Sequence, residues 1–175
     1  RIDPSISCYS NVGAFGIDGG LSTMLGQSVV TDELCFMIIG DLAFCYDMNC
    51  LSIRHIKNNV RILLVNNNGG IEFKLNGINN KSIDKYTAAS GHFKNAQGWA
   101  EACGFRYLMA ENKTEFDFNI DTFVKYSDSP ILFEIFTSDI EESDALRKFR
   151  EENSEFSLTE KMKNRTKNVL RKILK

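Results

Sequence analysis

Two short polar clusters each follow an apolar run in this sequence, and their residue types could bind a metal ion and phosphate. Gly40 and Asp41 follow the run 35–39, and the cluster 66–70 (Asn-Asn-Asn-Gly-Gly) follows the run 62–65. Short apolar runs that end at such residues are typical of interior strands of a parallel sheet. Open α/β sheets bind ligands at the carboxyl ends of their strands. Because Mg²⁺ takes oxygen ligands and bridges protein to phosphates, we predict a site for magnesium and a diphosphate.

The elements that must position this site alternate along the chain. We predict strands at 34–39, 61–65, 105–109 and 131–136, a further short strand at 6–9, and helices at 21–30, 47–56, 93–103 and 116–126. Residues 69–90 are rich in glycine and polar residues, which indicates a long functional loop. Strand–helix alternation predicts an α/β fold with three layers, a mostly parallel sheet and helices on both of its faces.

The end of the chain has a different composition, and we predict a boundary between a domain at 1–140 and a charged helical extension at 141–175. From residue 159 onward there are seven Lys or Arg residues against one Glu, with an apolar stripe at helical spacing. This basic helix could pack on protein, or contact a membrane or nucleic acid.

The bulk composition excludes several classes of protein. The chain has a formal net charge of −2 and a pI near 5.8, so a global nucleic-acid footprint is absent. No apolar run approaches the roughly 18 residues of a membrane helix, so we expect no membrane span. The five cysteines form no CxxC pair, which argues against zinc and predicts reduced thiols in a cytoplasmic protein.

The spacing of the two polar clusters resembles the GD…NN fingerprint of thiamine-diphosphate enzymes, in their pyrophosphate-binding domain. Carried over by position, the resemblance implies that Asp41, Asn67 and the backbone carbonyl of Gly69 hold Mg²⁺. The amides of Leu42 and Ala43 would face the diphosphate. Many members of the family have Ser where Ala43 stands, so a hydroxyl contact to phosphate is absent here.

Three segments are more specifically similar to the 2-succinyl-5-enolpyruvyl-6-hydroxy-3-cyclohexene-1-carboxylate synthases of the menaquinone pathway. Residues 10–19 (SNVGAFGIDG) resemble that family's SNRGxxGIDG, and residues 40–49 (GDLAFCYDMN) resemble its GDLSxLYDLN. The asparagine–glycine cluster and the later pair His92-Phe93 also match. The cofactor-binding residues that the resemblance implies are Gly16, Ile17, Asp18, Gly40, Asp41, Leu42, Ala43, Asn67, Gly69, Gly70 and Ile71. Ile17 is the candidate for the apolar residue beneath the thiazolium ring.

The substrate pocket departs from the family pattern at two positions. Val12 stands where the synthases have an Arg that helps to bind carboxylate substrates, and a neutral side chain cannot form a bidentate pair. Glu72 replaces an Ile of the pocket wall, where a carboxylate would repel an acidic substrate. With Asn11 and Phe73 as the other pocket candidates, we interpret the chain as part of a related enzyme with a different substrate.

The resemblance also implies an activity and partners. The family are transferases or lyases that use the cofactor to decarboxylate a small 2-oxo acid, and a carboligase then adds the product to an acceptor. The activating Glu lies in a separate pyrimidine-binding domain, which no segment here resembles. The chain starts at Arg1 without an initiator Met, and we expect a domain fragment that is inactive alone. The missing domain would come from the same chain or a partner subunit, in a homodimer or higher oligomer.

Two alternative functions stay open at this point. The chain could be a separate small subunit of a split thiamine-diphosphate decarboxylase, or a non-catalytic assembly module. A nicotinamide site fits poorly, because the loop at 13–20 has GxxGxxGG spacing rather than GxGxxG.

Several other residues near the proposed site have an ordinary structural explanation. Asp18 and Asn49 could orient the cofactor loops or cap helices, and His92 could begin a helix or contact the pocket. Cys45 and Cys50 are expected to serve packing rather than nucleophilic catalysis. His55 is expected on the surface of its helix.

Overall fold

The computed structural model describes residues 3–10, 16–70 and 94–153. The chain divides into two compact units, Arg1–Asp139 and Ile140–Lys175. The first unit contains every described strand and the predicted site, and the second contributes one described helix.

A four-stranded sheet forms the centre of the first unit in the described residues. Its strands are β1 (Cys35–Gly40), β2 (Val60–Asn66), β3 (Arg106–Ala110) and β4 (Ile131–Phe136). The spatial order is β1-β2-β4-β3, and every neighbouring pair is parallel. In the register of β1 and β2, Gly40 lies opposite Val65, so the two polar clusters begin at the same edge of the sheet. The predicted α/β fold with a parallel sheet is confirmed.

Helices cover the sheet from both sides, as predicted. Their bounds are α1 (Gly20–Val29), α2 (Asp41–Asp47), α3 (Gln97–Ala102) and α4 (Lys113–Phe123), and a 3₁₀ helix at Met48–Ser52 follows α2 directly. The side chain of Asn112 caps α4 by accepting a hydrogen bond from Glu115 N at 3.1 Å. Gly104, in the left-handed conformation at φ 82°, follows the end of α3, which begins at Gln97 and not at residue 93 as predicted.

The strands alternate their side chains between two apolar cores. One core contains Leu21 and Leu25 of α1 and Phe44 of α2 against Ile62 and Leu64 of β2. The other core lies under α4 and includes Phe123, Ile131 and Phe133. Burial on both faces explains why β2 and β4 are almost continuously apolar in sequence.

The first strand differs from the prediction of a buried interior strand. Within the described sheet β1 pairs only with β2, and Phe36 and Ile38 are 49% and 75% exposed. The apolar sequence of β1 therefore reflects one buried face, that of Ile39, rather than two. Phe36 still makes an edge-to-face contact with the ring of Phe123, at a centroid separation of 5.7 Å.

Two further expectations about elements are wrong. The segment 6–9 forms no strand in the structure. The helix expected at 47–56 begins six residues earlier, at Asp41, and its 3₁₀ continuation ends at Ser52. The helix starts earlier because no loop separates it from β1. Gly40, in an extended conformation, is the last residue of β1, and α2 begins at the next residue.

In the unit Ile140–Lys175, the described part belongs to helix α5 (Asp139–Asn153), where an exposed ion pair joins Arg147 to Asp144 at 2.9 Å. The basic segment from residue 159 lies outside the described residues. Within the described ranges, every helix is too short or too polar to serve as a membrane span.

Candidate functional site

Asp41 is the central carboxylate of the site and lies where β1 passes into α2. Its side chain is 1% exposed, although it follows a strand whose last residue, Gly40, is exposed. Asp41 Oδ1 accepts a hydrogen bond from the backbone N–H of Leu42 at 2.9 Å. The Leu42 amide, which the resemblance directs toward a diphosphate, is therefore engaged with Asp41 in this structure.

The asparagine–glycine turn after β2 contacts this carboxylate directly. Gly69 N donates a hydrogen bond to Asp41 Oδ2 at 3.0 Å. Within the turn, Asn68 adopts the left-handed conformation at φ 63°, which Asn tolerates better than most residues. The side-chain oxygen of Asn67 is buried from solvent. The structure thus brings Asp41, Asn67 and Gly69 to one edge of the sheet, and we call these three residues the strand-end site.

The start of α1, just after the glycine-rich loop, is joined to α2 by Asp47. The residue before α1 is Gly19, at φ 76°, which has no side chain to cap the helix. Asp47 Oδ2, at the end of α2, instead accepts a hydrogen bond from Ser22 N at 2.8 Å. Gly16, Ile17 and Asp18 are exposed just before this cap. The first turn of α1, which directly follows the loop, is therefore hydrogen-bonded to α2.

A buried carboxylate that the sequence reasoning missed lies behind the turn. Glu134 on β4 is fully buried and accepts hydrogen bonds from Asn66 Nδ2, Ala96 N and the Tyr107 hydroxyl, at 2.7, 2.8 and 2.7 Å. Burial and this bond to Glu134 raise the pKa of Tyr107. One signal could have found Glu134, because it is the single charged residue in the apolar run of β4.

Cys45 and Cys50, the two cysteines that follow Asp41 most closely in sequence, have thiols of raised pKa. Burial, with the carboxylates of Asp41 and Glu134 adding to it, raises the pKa of Cys45 to about 11. Burial and the charge of Asp47 raise the pKa of Cys50 to about 12. Cys50 packs in the core beside α1 and α2. Neither thiol has the depressed pKa of a nucleophile, and both environments agree with a packing role.

The remaining predicted residues divide into two groups. Gly40, Leu42, Ala43 and Gly70 adjoin the strand-end site in sequence and are described. Asn11, Val12, Ile71, Glu72, Phe73 and His92 lie outside the described residues. His55 is exposed, as predicted, although it lies in a turn and not on a helix.

The described residues place two limits on the chemistry of the site. Among them, no three His, Cys, Asp or Glu side chains gather into a group that could hold a metal ion. A cation at the strand-end site would therefore take its remaining ligands from amide and carbonyl oxygens or from a ligand. A separate cavity of about 370 Å³ is lined by Arg54, Cys103, Gly104 and Pro130. Because Gly104 and Pro130 precede β3 and β4, this cavity lies at the amino end of the sheet, away from the strand-end site.

Comparison with known proteins supports the resemblance found in the sequence. No protein-family model matches the chain. A 2-succinyl-5-enolpyruvyl-6-hydroxy-3-cyclohexene-1-carboxylate synthase of Phocaeicola vulgatus is 36% identical over 151 residues, which cover 85% of this chain and 27% of the relative. The synthase of that name from Bacteroides thetaiotaomicron is 37% identical over 141 residues, or 79% of this chain and 25% of the relative. The Flavobacterium johnsoniae synthase is 32% identical over 153 residues, which cover 87% of this chain and 28% of the relative.

These alignments extend across most of the chain rather than over one motif, and the predicted resemblance is confirmed. The chain spans about a quarter of the length of the curated relatives that it matches. It is homologous to the 2-succinyl-5-enolpyruvyl-6-hydroxy-3-cyclohexene-1-carboxylate synthases and belongs to this family over the segment that aligns.

Proposed function

We propose that this chain binds the diphosphate of thiamine diphosphate through Mg²⁺, as the pyrophosphate-binding domain of a 2-oxo acid decarboxylase or carboligase. One observation carries the proposal, which is the contact between Asp41 Oδ2 and Gly69 N at 3.0 Å. This contact joins a buried carboxylate to the turn that contains Asn67, at the sheet edge where α/β folds bind ligands.

The residues of the strand-end site fit a magnesium ion bound together with phosphates. The metal set that we propose is the carboxylate of Asp41, the side-chain oxygen of Asn67 and the backbone carbonyl of Gly69. The two oxygens of a carboxylate have about four lone-pair sites, so backbone N–H donors and a cation can share Asp41. Mg²⁺ commonly takes one or two protein carboxylates and completes its shell with phosphate oxygens and water. A site with a single carboxylate suits this arrangement.

The other proposed roles come from the family. Gly16, Ile17 and Asp18 would line the cofactor, and Gly40, Leu42, Ala43, Gly70 and Ile71 would adjoin its diphosphate. Asn11, Val12, Glu72 and Phe73 would face the substrate. Thiamine diphosphate, when bound, supplies the carbon nucleophile and the electron sink for decarboxylation of a 2-oxo acid. The protein residues here orient the diphosphate and hold its metal.

The proposed activity depends on residues beyond this chain. Because the relatives are about four times longer than the aligned segment, we propose that a pyrimidine-binding domain, in the same chain or a partner subunit, supplies the activating Glu. A homodimer and a cytoplasmic location are part of the same proposal. The substrate would be a 2-oxo acid other than that of the synthases, because of Val12 and Glu72.

Calorimetry on the complete protein tests the proposal. We expect saturable heat when thiamine diphosphate is added in the presence of Mg²⁺, no heat after chelation of the metal, and no heat for Asp41→Ala. The matched control is Asp32→Ala, which removes an acidic side chain that is 99% exposed. Wild-type protein that gives no heat, or an Asp41→Ala variant that binds as tightly as wild type, would refute the proposal.

A panel of 2-oxo acids then identifies the reaction. Release of CO₂ with formation of an aldehyde indicates a decarboxylase, and formation of a longer ketol from an added acceptor indicates a carboligase. We expect the 175 residues alone to release no CO₂, since the activating Glu is absent from them.

A further inference from the structure

Glu134 is buried deep in the sheet, yet each of its oxygens has a distinct set of partners. Oε1 accepts a hydrogen bond from Asn66 Nδ2 at 2.7 Å. Oε2 accepts from Ala96 N at 2.8 Å and from the Tyr107 hydroxyl at 2.7 Å. Because all three partners donate, Glu134 acts as a hydrogen-bond acceptor at both of its oxygens.

The bond from Asn66 to Oε1 fixes the orientation of the Asn66 amide. With its NH₂ group held against a pure acceptor, the amide must direct its oxygen the other way. Asn66 Oδ1 there accepts a hydrogen bond from Asn68 N at 3.1 Å. This bond closes the turn in which Asn68 adopts its left-handed conformation, and the next residue, Gly69, donates to Asp41 at 3.0 Å. Three hydrogen bonds, together with the peptide link between Asn68 and Gly69, therefore connect Glu134 to Asp41.

We propose that Glu134 is a positioning residue that sets the strand-end site through Asn66. It acts by holding the amide of Asn66 in the one orientation that stabilises the turn at 66–70. The turn in turn presents Asn67 and Gly69 beside Asp41. This inference rests on the proposed function for the identity of the ligand, which is the metal-bound diphosphate.

A simpler role for Glu134 is to hold the Tyr107 side chain of β3 and the segment before α3 against β4. That role would use Oε2 alone, through Tyr107 and Ala96. The two roles can be separated because the bond to Asn66 uses the other oxygen. A variant that disturbs only Oε1 should disturb the strand-end site, and a variant that removes only the Tyr107 bond should not.

Three variants of the complete protein separate these roles. In Glu134→Gln, the single carbonyl oxygen can serve Ala96 N and Tyr107, which leaves an NH₂ group facing the NH₂ group of Asn66. If Asn66 rotates to avoid this, its own NH₂ group meets the N–H of Asn68. The double variant Glu134→Gln/Asn66→Asp restores the match, because Asp accepts from both sides, and it keeps the wild-type net charge. Tyr107→Phe removes only one bond to Oε2.

Two measurements detect the effect of these variants on the strand-end site. The first is the dissociation constant of thiamine diphosphate at saturating Mg²⁺. We expect Glu134→Gln to raise it about 10- to 100-fold, as is usual for residues that orient metal ligands, and the double variant to recover most of the loss. The second is hydrogen exchange of the Asn68 and Gly69 amides in protein without cofactor. Exchange should be faster in Glu134→Gln and slow again in the double variant, and Tyr107→Phe should change neither quantity appreciably.

The outcomes decide the inference in each case. It is overturned if Glu134→Gln leaves both quantities at wild-type values, if the double variant is no better than Glu134→Gln, or if Tyr107→Phe is equally damaging. If wild-type protein does not bind thiamine diphosphate, the proposed function fails, and the exchange pattern alone then decides whether Glu134 sets the turn. If Glu134→Gln does not fold, recovery of folding and slow exchange in the double variant supports the inference, and an unfolded double variant refutes it.

Discussion

The carboxylate of Asp41 accepts a hydrogen bond from the backbone N–H of Gly69 at 3.0 Å, across the boundary between the ends of β1 and β2. The two residues are 28 positions apart in sequence and meet only because their strands are parallel neighbours. This contact makes two ordinary strand-end turns into one polar site with a buried carboxylate. It also means that changes in either turn should affect the other.

Asp47→Ala should weaken cofactor binding without removing a proposed ligand. Asp47 Oδ2 is the acceptor for Ser22 N at the start of α1, where Gly19 provides no cap. Loss of a helix cap costs about 1 kcal/mol, and here it loosens the first turn of α1, which directly follows the loop 16–19 that would line the cofactor. We expect a rise of about tenfold in the dissociation constant of thiamine diphosphate, which corresponds to a loss of about 1.4 kcal/mol in binding free energy. Calorimetry measures it, and Asp47→Asn, which keeps a side-chain acceptor, should be much closer to wild type.

Asn59→Ala should destabilise the protein through loss of a buried connection between α1 and β2. The side-chain NH₂ group of Asn59, which is 3% exposed, donates to the carbonyls of Ser28, Thr31 and Glu33 at 3.0–3.2 Å. Its removal leaves buried carbonyl oxygens without that donor, so we expect a loss of about 2–3 kcal/mol in the free energy of unfolding. Urea denaturation measures this loss. The neighbouring Asn58→Ala, at an exposed side chain, should change stability by less than about 0.5 kcal/mol.

Arg61→Met should also be destabilising, because the buried guanidinium donates hydrogen bonds to three backbone carbonyls. Arg61 is fully buried on β2, where burial lowers the pKa of its guanidinium, and it donates to the carbonyls of Asn58, Val60 and Lys125. Met fills similar volume but donates nothing, and we expect a loss of about 3 kcal/mol in unfolding free energy. Thermal and urea unfolding check this value. The exposed Arg106, also on a strand, provides the control Arg106→Ala, and an equal loss there would contradict the explanation.

Substitution by alanine should change the free energy of unfolding in opposite directions at two glycines, one within α3 and one just after it. Gly104 has φ 82°, and an added Cβ would meet nothing within 4 Å, so any cost of Gly104→Ala comes from backbone conformation alone. We expect a loss of about 1 kcal/mol. Gly98 lies inside α3 with equally open space, and Gly98→Ala should stabilise by up to about 1 kcal/mol. Urea unfolding of both variants measures the difference, and effects of the same sign would show that the argument is wrong.

Stability should fall at alkaline pH because of the half-buried thiol of Cys45 and the buried thiol of Cys50. Folding raises the pKa of Cys45 to about 11 and that of Cys50 to about 12, from the ordinary value of 9.0. Above about pH 9 the unfolded chain releases protons that the folded chain retains, so rising pH favours unfolding until the folded thiols ionise. Urea unfolding between about pH 8 and about pH 10.5 should show the decline. Its slope should be shallower in the variants Cys45→Ala and Cys50→Ala, and an unchanged slope would count against these two groups.

The general plan of the sheet follows from local sequence patterns. Residues 131–136 are predicted and observed as one strand, because an apolar run with a single charged residue, Glu134, follows Pro130 and allows few alternatives. The start of α2 was misplaced by six residues, because the apolar periodicity of the 3₁₀ segment obscured a helix that begins at Asp41.

Sequence by itself determined which residue types follow each strand, and its resemblance to thiamine-diphosphate enzymes implied the proposed ligands Asp41, Asn67 and Gly69. The tertiary structure decided how these residues are held. Hydrogen bonds between distant segments, such as those of Glu134 with Asn66 and Tyr107 and of Asp47 with Ser22, leave no periodic signal in a single sequence. It also decided that β1 exposes Phe36 and Ile38 in the described sheet, because an apolar run reveals hydrophobicity but not how many of its faces are covered.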